Sequence, residues 1–119
     1  MSVHASEMAI GSKVTIEIDS NALPIIPGVM EIASQNRSGG MKTNEEHFGG
    51  GVEFLAGSGD LLADVRRDIV FDPQTSGGLL ISVAAESADS VMANLMKAGI
   101  QAYLVGKVIE STGKRLRIG

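Results

Sequence analysis

The run Phe71-Asp72-Pro73-Gln74-Thr75-Ser76-Gly77-Gly78-Leu79-Leu80 sets a turn former, small hydroxyls and paired glycines directly before an apolar stretch. Asp72 can accept backbone hydrogen bonds in an Asx-type turn. Pro73 fixes its own φ and pushes Asp72 toward an extended conformation, while Gly77 and Gly78 permit positive φ and close backbone approach. Successive N–H groups exposed by such a turn can cradle an anion. The same residues also read as an ordinary glycine-rich turn before a strand, and the physics of the string alone leaves both readings open.

Other reactive side chains are sparse. His4 and His47 have no second ligand at metal-binding spacing and read as exposed or packing residues. Glu45-Glu46 is an adjacent acidic pair of the kind usually solvated, and Lys42, near Gly39-Gly40, is the one cation placed to reach a phosphate. No Ser-His-Asp order and no Gly-Lys-Ser phosphate loop occurs. The absence of cysteine removes disulfides, thiolate metal sites and a thiol nucleophile. These residues therefore define no catalytic group and no metal site. A formal net charge of −4, with one tyrosine and three phenylalanines, argues against a nucleic-acid footprint. No apolar run approaches the roughly 18 residues of a membrane span, so the expectation is a soluble, cytoplasmic chain.

The elements that must position the turn follow from periodicity. The 119 residues fit a single domain, 1–119, able to bury about two-thirds of its unfolded surface. Residues 7–10 read as the last turn of a helix stopped by Gly11. Val14, Ile16 and Ile18 alternate with polar neighbours across residues 13–19, the pattern of a strand with one buried face. Pro27 suits the first position of a short helix carrying Val29, Met30, Ile32 and Ala33. Residues 38–59 hold seven glycines, Gly57 and Gly59 among them, and read as a long surface loop. A short helix capped by Asp60 follows, with Leu61, Leu62 and Val65 inward and Asp64, Arg66, Arg67 and Asp68 wet. Residues 69–71 and 79–83 read as strand pieces flanking the turn, the second buried on both faces. Ala88, Val91, Met92, Leu95 and Met96 mark a core-packing helix ended by Gly99, and residues 100–109 and 114–118 read as strands. The sum is an α+β domain of helices packed on a mixed sheet, ending in a C-terminal β-α-β-β unit.

Asp72-Pro73-Gln74-Thr75-Ser76-Gly77-Gly78-Leu79-Leu80 resembles the C-terminal signature of the selenophosphate synthetase (selenide, water dikinase) family, within the aminoimidazole ribonucleotide synthetase-related superfamily. Leu23-Pro24, Pro27-Gly28, Gly39-Gly40 and Asn44 follow the same order, so the resemblance covers nearly the whole chain. His4-Ala5-Ser6-Glu7-Met8-Ala9 is similar to the tail of a helix that, in the family, follows an aspartate and a Thr-Gly-Phe-Gly motif absent here. Met1-Ser2-Val3 stands where the family would continue upstream. The resemblance implies the C-terminal half of a two-domain enzyme that makes selenophosphate from selenide and ATP, releasing AMP and phosphate. The missing N-terminal domain would bring the reactive Cys or selenocysteine, its lysine and the aspartates that hold Mg²⁺ and ATP. It further implies Asp72, Gln74, Thr75, Ser76, Gly77, Gly78 and, more weakly, Asn44 as ligand-proximal residues, with no tight cofactor binding and no phosphotransfer by this part alone. Its partners would be the N-terminal ATP-binding domain, the substrates selenide and ATP, and a second copy in a homodimer. Two other readings stand beside it: the same domain from another ATP-using member of the superfamily, and a stand-alone non-catalytic module that dimerises or binds a partner.

Overall fold

A computed structural model describes the chain apart from residues 34, 56–60, 75 and 76 and the side chains of residues 61–64. Its elements are helix α1 (Ser2–Ser12), strand β1 (Thr15–Ile18), helix α2 (Val29–Ala33), helix α3 (Gly39–Phe48), strand β2 (Val52–Phe54), helix α4 (Leu61–Phe71), helix α5 (Ala88–Lys97), and strands β3 (Gly106–Ile109) and β4 (Leu116–Ile118). Four strands form one mixed sheet in the order β2-β4-β1-β3. β4 runs parallel to both β1 and β2, and β3 runs antiparallel to β1. The α+β architecture of helices on a mixed sheet is thus the one expected.

The apolar face of β1 packs inward as its alternation implied, although Thr15 on the other face is fully buried as well. Ile18, Leu116, Ile118 and Val52 turn to one face and join Ala5 of α1 and Val70 and Phe71 of α4 in a common core, with Ile16, Phe54, Phe48 and Leu80 packed on its border. Along α1, Ser2, Ala5, Ser6 and Ala9 form a buried stripe of small residues that lets the helix lie close to β1 and β4. α1 does not stop at Gly11. Lys13 takes the left-handed conformation (φ 55°, ψ 42°), donates to the Ile10 carbonyl at 3.2 Å, and is followed by Val14 donating to Ala9 at 3.1 Å, a Schellman pairing.

Several expected elements fall elsewhere. Residues 38–59 are no simple loop, because they contain α3 and β2. Ser38 explains this: it sits extended at the N-cap and its Oγ accepts the Met41 N–H at 3.2 Å, satisfying an end donor that the two glycines behind it cannot. Residues 69–71 are the last turn of α4 and not a strand. Of the C-terminal β-α-β-β unit, the helix and the last two strands form, while residues 79–83 lie outside the sheet with Leu79 90% exposed. The expected strand at 100–109 is confined to Gly106–Ile109. α5 consequently has no strand of that segment to pack on. None of its residues is buried and Met96 is 76% exposed, so the methionine stripe is not core. Val65 is buried as expected, whereas Arg66 and Asp68, expected wet, are partly buried; Asp60 and the side chains of Leu61, Leu62 and Asp64 lie outside the described residues.

β3 and β4 are not a hairpin, since β1 lies between them. The connecting residues cross the start of β1 and are tied there by the fully buried Thr15. Its hydroxyl donates to the Lys114 carbonyl at 2.5 Å and accepts the Thr112 N–H at 2.9 Å, with Gly113 in a positive-φ conformation (85°) completing the turn. Replacing Thr15 with the isosteric Val leaves a buried donor and acceptor unmatched. Thr15→Val should lower unfolding stability by ~1–3 kcal/mol in denaturant titration; a change near zero would show that the crossover does not depend on this hydroxyl.

Candidate functional site

α4 ends where the sequence forbids its continuation: Asp72 precedes Pro73, and the proline ring disfavours a helical residue before it. The Asp72 N–H still reaches the Ile69 carbonyl at 3.2 Å, and the Gln74 N–H returns to the Asp72 carbonyl at 2.9 Å, so the chain turns sharply away from the helix. Phe71, fully buried, anchors the near side of this turn in the core.

α3 holds the turn from the other side. Asn44 Nδ2 donates to the Phe71 carbonyl at 2.8 Å, capping one of the carbonyls that the end of α4 leaves without a helical partner. Gly40, one turn earlier on α3, faces the proline so closely that a Cβ there would stand 2.8 Å from Pro73 Cγ. Gly39-Gly40, Asn44 and the turn beginning at Asp72, distant in sequence, therefore meet at one place. The engagement of Asn44 by a backbone carbonyl accounts for its presence structurally.

The remaining candidates vary in setting. Asp72 is half-buried, and Gln74, Gly77 and Gly78 are exposed. Thr75 and Ser76 lie outside the described residues. Gly78 has no atom within 4 Å of where a Cβ would sit and does not adopt positive φ, so its backbone faces open space. The chain's first residue also lies here. Burial holds the Met1 ammonium below its ordinary pKa, and the charge of Asp72 opposes that effect.

The remaining expectations can be placed as well. His4 pairs with Glu7 at 3.5 Å on an exposed face of α1, and His47 sits exposed on the last turn of α3 with Nδ1 3.2 Å from the Thr43 carbonyl. Lys42 faces Glu46 at 3.9 Å on the solvent side of α3. Among the described residues no three His, Asp or Glu side chains gather as a metal site would require, and no helix is long and apolar enough to cross a membrane.

Sequence reasoning missed the charge network that braces α3 on α4. Glu45, read as solvated, receives Arg37 at 2.8 Å on one oxygen and Arg67 at 2.8 Å on the other, while Arg37 Nε also binds Asp68 at 2.9 Å. Arg67 in turn stacks over the Phe54 ring, 5.0 Å from its centroid. Burial pushes the Glu45 carboxyl up, but hydrogen bonds from Arg37 and Arg67, together with their charges, outweigh it and hold the carboxyl below its ordinary value. An open depression of ≈ 450 Å³ lies away from the turn, at the carboxyl ends of β1, β2 and β4, between Leu55, Leu104 and the charged pair Lys107 and Glu17.

Comparison with known proteins gives the following. The family model described as AIR synthase related protein, C-terminal domain, matches residues 1–119. The selenide, water dikinase of Caldanaerobacter subterraneus subsp. tengcongensis is 40% identical over 109 residues, covering 90% of this chain and 30% of that protein. The Clostridioides difficile protein of the same name is 38% identical over 117 residues, 97% of this chain and 32% of its own length. That of Escherichia coli O6:H1 is 34% identical over 116 residues, 97% of this chain and 31% of its own. The chain spans less than a third of the length of each of these relatives. The resemblance carried by the Asp72–Leu80 string and by Gly39-Gly40 is thereby borne out.

Two outcomes follow from the bracing of the turn. Asn44→Ala should cost ~1–2 kcal/mol of unfolding stability by leaving the Phe71 carbonyl without its donor; no loss in denaturant titration would remove the capping role. Because the folded-state pKa of Glu45 is depressed, its contribution is present above the ordinary carboxylate range and is lost as pH falls through the folded value. Glu45→Gln should therefore be less stable than wild type near neutral pH, by at most about 1 kcal/mol since both arginines are half exposed, with the gap closing in acid. A pH-independent gap in thermal melts would contradict this.

Proposed function

The chain belongs to the AIR synthase related protein, C-terminal domain family, and from that premise we propose that it is the C-terminal domain of a selenide, water dikinase, working beside an N-terminal ATP-binding domain. The observation that carries this reading is the convergence of Gly39-Gly40, Asn44 and the Asp72 turn, the stretches that resemble the dikinase family, through the Asn44–Phe71 hydrogen bond and the Gly40–Pro73 contact. The relatives of that name at 34–40% identity support it further.

In this reading the parent enzyme transfers one phosphoryl group from ATP to selenide, and water cleaves the remaining phosphoanhydride to release AMP and phosphate; Mg²⁺ would meet the charge on the phosphates. The residues here fit only part of that task. A single half-buried carboxylate, Asp72, is too few ligands for the ion, whereas the open backbone at Gly77-Gly78 leaves room for N–H groups to approach an anion. Asp72, Gln74, Thr75, Ser76, Gly77 and Gly78 thus serve as the lid side of a phosphate site. Asn44 acts by holding that lid on α3. Neither the reactive nucleophile nor the metal ligands come from this domain. A cytoplasmic location and a homodimeric parent belong to the same reading. Another ATP-using branch of the superfamily is disfavoured by the common name of these relatives.

The test is a chimera in which this chain replaces the C-terminal third of one of the relatives. Selenide-dependent AMP release should persist in the chimera and be absent from the chain alone, and Gly78→Val, which fills the open backbone, should lower it about tenfold or more. A folded but inactive chimera, or AMP release from the chain by itself, would overturn the proposal.

A further inference from the structure

β2 and β3 are the two edges of the sheet, and among the described residues no strand lies beyond either. Edge strands present unpaired N–H and C=O groups to any chain that fits them. Two independent features make these particular edges fit each other.

The first is charge. Glu53, Arg117, Glu17 and Lys107 occupy one register line across β2, β4, β1 and β3, on the face opposite the core. Arg117 Nε bonds Glu53 at 2.7 Å, its Nη1 bonds Glu17 at 2.8 Å, and Lys107 Nζ reaches Glu17 at 3.2 Å. The signs alternate, so the row ends on an acid at the β2 edge and on a cation at the β3 edge. Lys107, 70% exposed, has its outer side open.

The second is the backbone. β3 pairs with Ile16-Glu17-Ile18 of β1, setting Val108 opposite Ile16 and Lys107 opposite Glu17. β2 reads Val52-Glu53-Phe54, the same apolar-Glu-apolar order. Leu55 donates to the Ile118 carbonyl and Gly51 accepts from Arg115, so the odd residues of β2 face β4 and alternation turns the polar groups of Val52 and Phe54 outward. On β3 the Val105 carbonyl accepts from Asp19, so the N–H and C=O of Val108 point outward by the same alternation.

We propose that the β3 edge of one copy of this chain receives the β2 edge of a second copy, antiparallel, with Val108 opposite Val52 and Lys107 opposite Glu53 of the second copy. In that register the outward groups of both strands meet, all core faces stay on one side, and the alternating row of charges continues unbroken from copy to copy. A like-charged neighbour at the same register is disfavoured, which selects the β2 edge over a second β3 edge, where Lys107 would meet its own kind. The two surfaces differ, so the contact is head-to-tail and each added copy exposes a fresh edge. Strands of four and three residues keep each contact weak, and association is therefore concentration-dependent.

Sedimentation velocity of the 119-residue chain up to its solubility limit tests this. Wild type should form species larger than dimers, and added salt should weaken them. Lys107→Glu and Glu53→Lys should each weaken self-association about tenfold or more, and an equimolar mixture of the two should restore it, because every Glu then meets a Lys. Recovery in the mixture also shows that both variants are folded. Val108→Pro, which removes an outward donor and leaves the internal charge row intact, should abolish association independently. Wild type that stays monomeric throughout, association that halts at dimers, or a mixture that fails to recover would each overturn the proposal.

Discussion

β4 can lie between β1 and β2 only if the chain, leaving β3 on the far side of β1, crosses the start of β1 and reverses. That crossing puts backbone polar groups against a buried strand end, where an unmatched group costs about as much as a net hydrogen bond contributes several times over. The Thr15 hydroxyl resolves the conflict by acting as donor to Lys114 and acceptor for Thr112 at once, which an apolar side chain such as Val at that position could not do. With the crossing secured, β4 becomes an interior strand, and its Leu116 and Ile118 reach Ala5, Val70 and Phe71. The core, and the helices seated on it, thus depend on the closure of a short loop by one side chain.

The turn at Asp72 inherits its position from that core. Phe71 is buried in it, α4 must end one residue later because of Pro73, and α3 is set against both by Gly40, Asn44 and the Arg37–Glu45–Arg67 bridge. The bridge itself is a surface feature of modest energy; its role is to fix the angle between α3 and α4 while the apolar contacts carry most of the stability. A backbone held in this way at its base and open at Gly78 suits a surface that completes a site on another domain. It does not suit a closed pocket, which would need walls on both sides of the glycines.

How much of this is legible in the sequence varies with the kind of signal. Alternation at Val14, Ile16 and Ile18 identified β1 because that face meets the core, while the other carries Glu17 and gave no sign that Thr15 beside it is buried. Glycine density misled over residues 38–59, where the Ser38 cap outweighed the low helix propensity of Gly39-Gly40. Residues 69–71 are apolar enough for either a strand or a buried helix end, and only the Asp72-Pro73 stop, read three residues forward, identifies the helix. Residues 79–83 and the stripe on α5 carry strong patterns without a buried partner in the sheet, since pattern records what a face can bury and not what meets it. Of the site, the turn was visible as a motif, whereas the Asn44–Phe71 bond and the Arg37–Glu45–Arg67 bridge are contacts between distant positions that no local spacing encodes.

The outer face of the sheet shows the same limit from the other direction. Glu17, Glu53, Lys107 and Arg117 are ordinary solvent-side residues when taken strand by strand, each simply opposite an apolar neighbour in the alternation. Only the register brings them into one line, and the register follows from strand order: a β3-β4 hairpin turning at residues 111–113 would set Lys107 opposite Arg117 and place like charges together. Inserting β1 between them separates the two cations by a carboxylate and turns a repulsive pair into an alternating row. The hydroxyl of Thr15, which makes that insertion possible, and the charges of Glu17 and its neighbours, which favour it over the hairpin, therefore act on the same topological choice from the same face of the sheet.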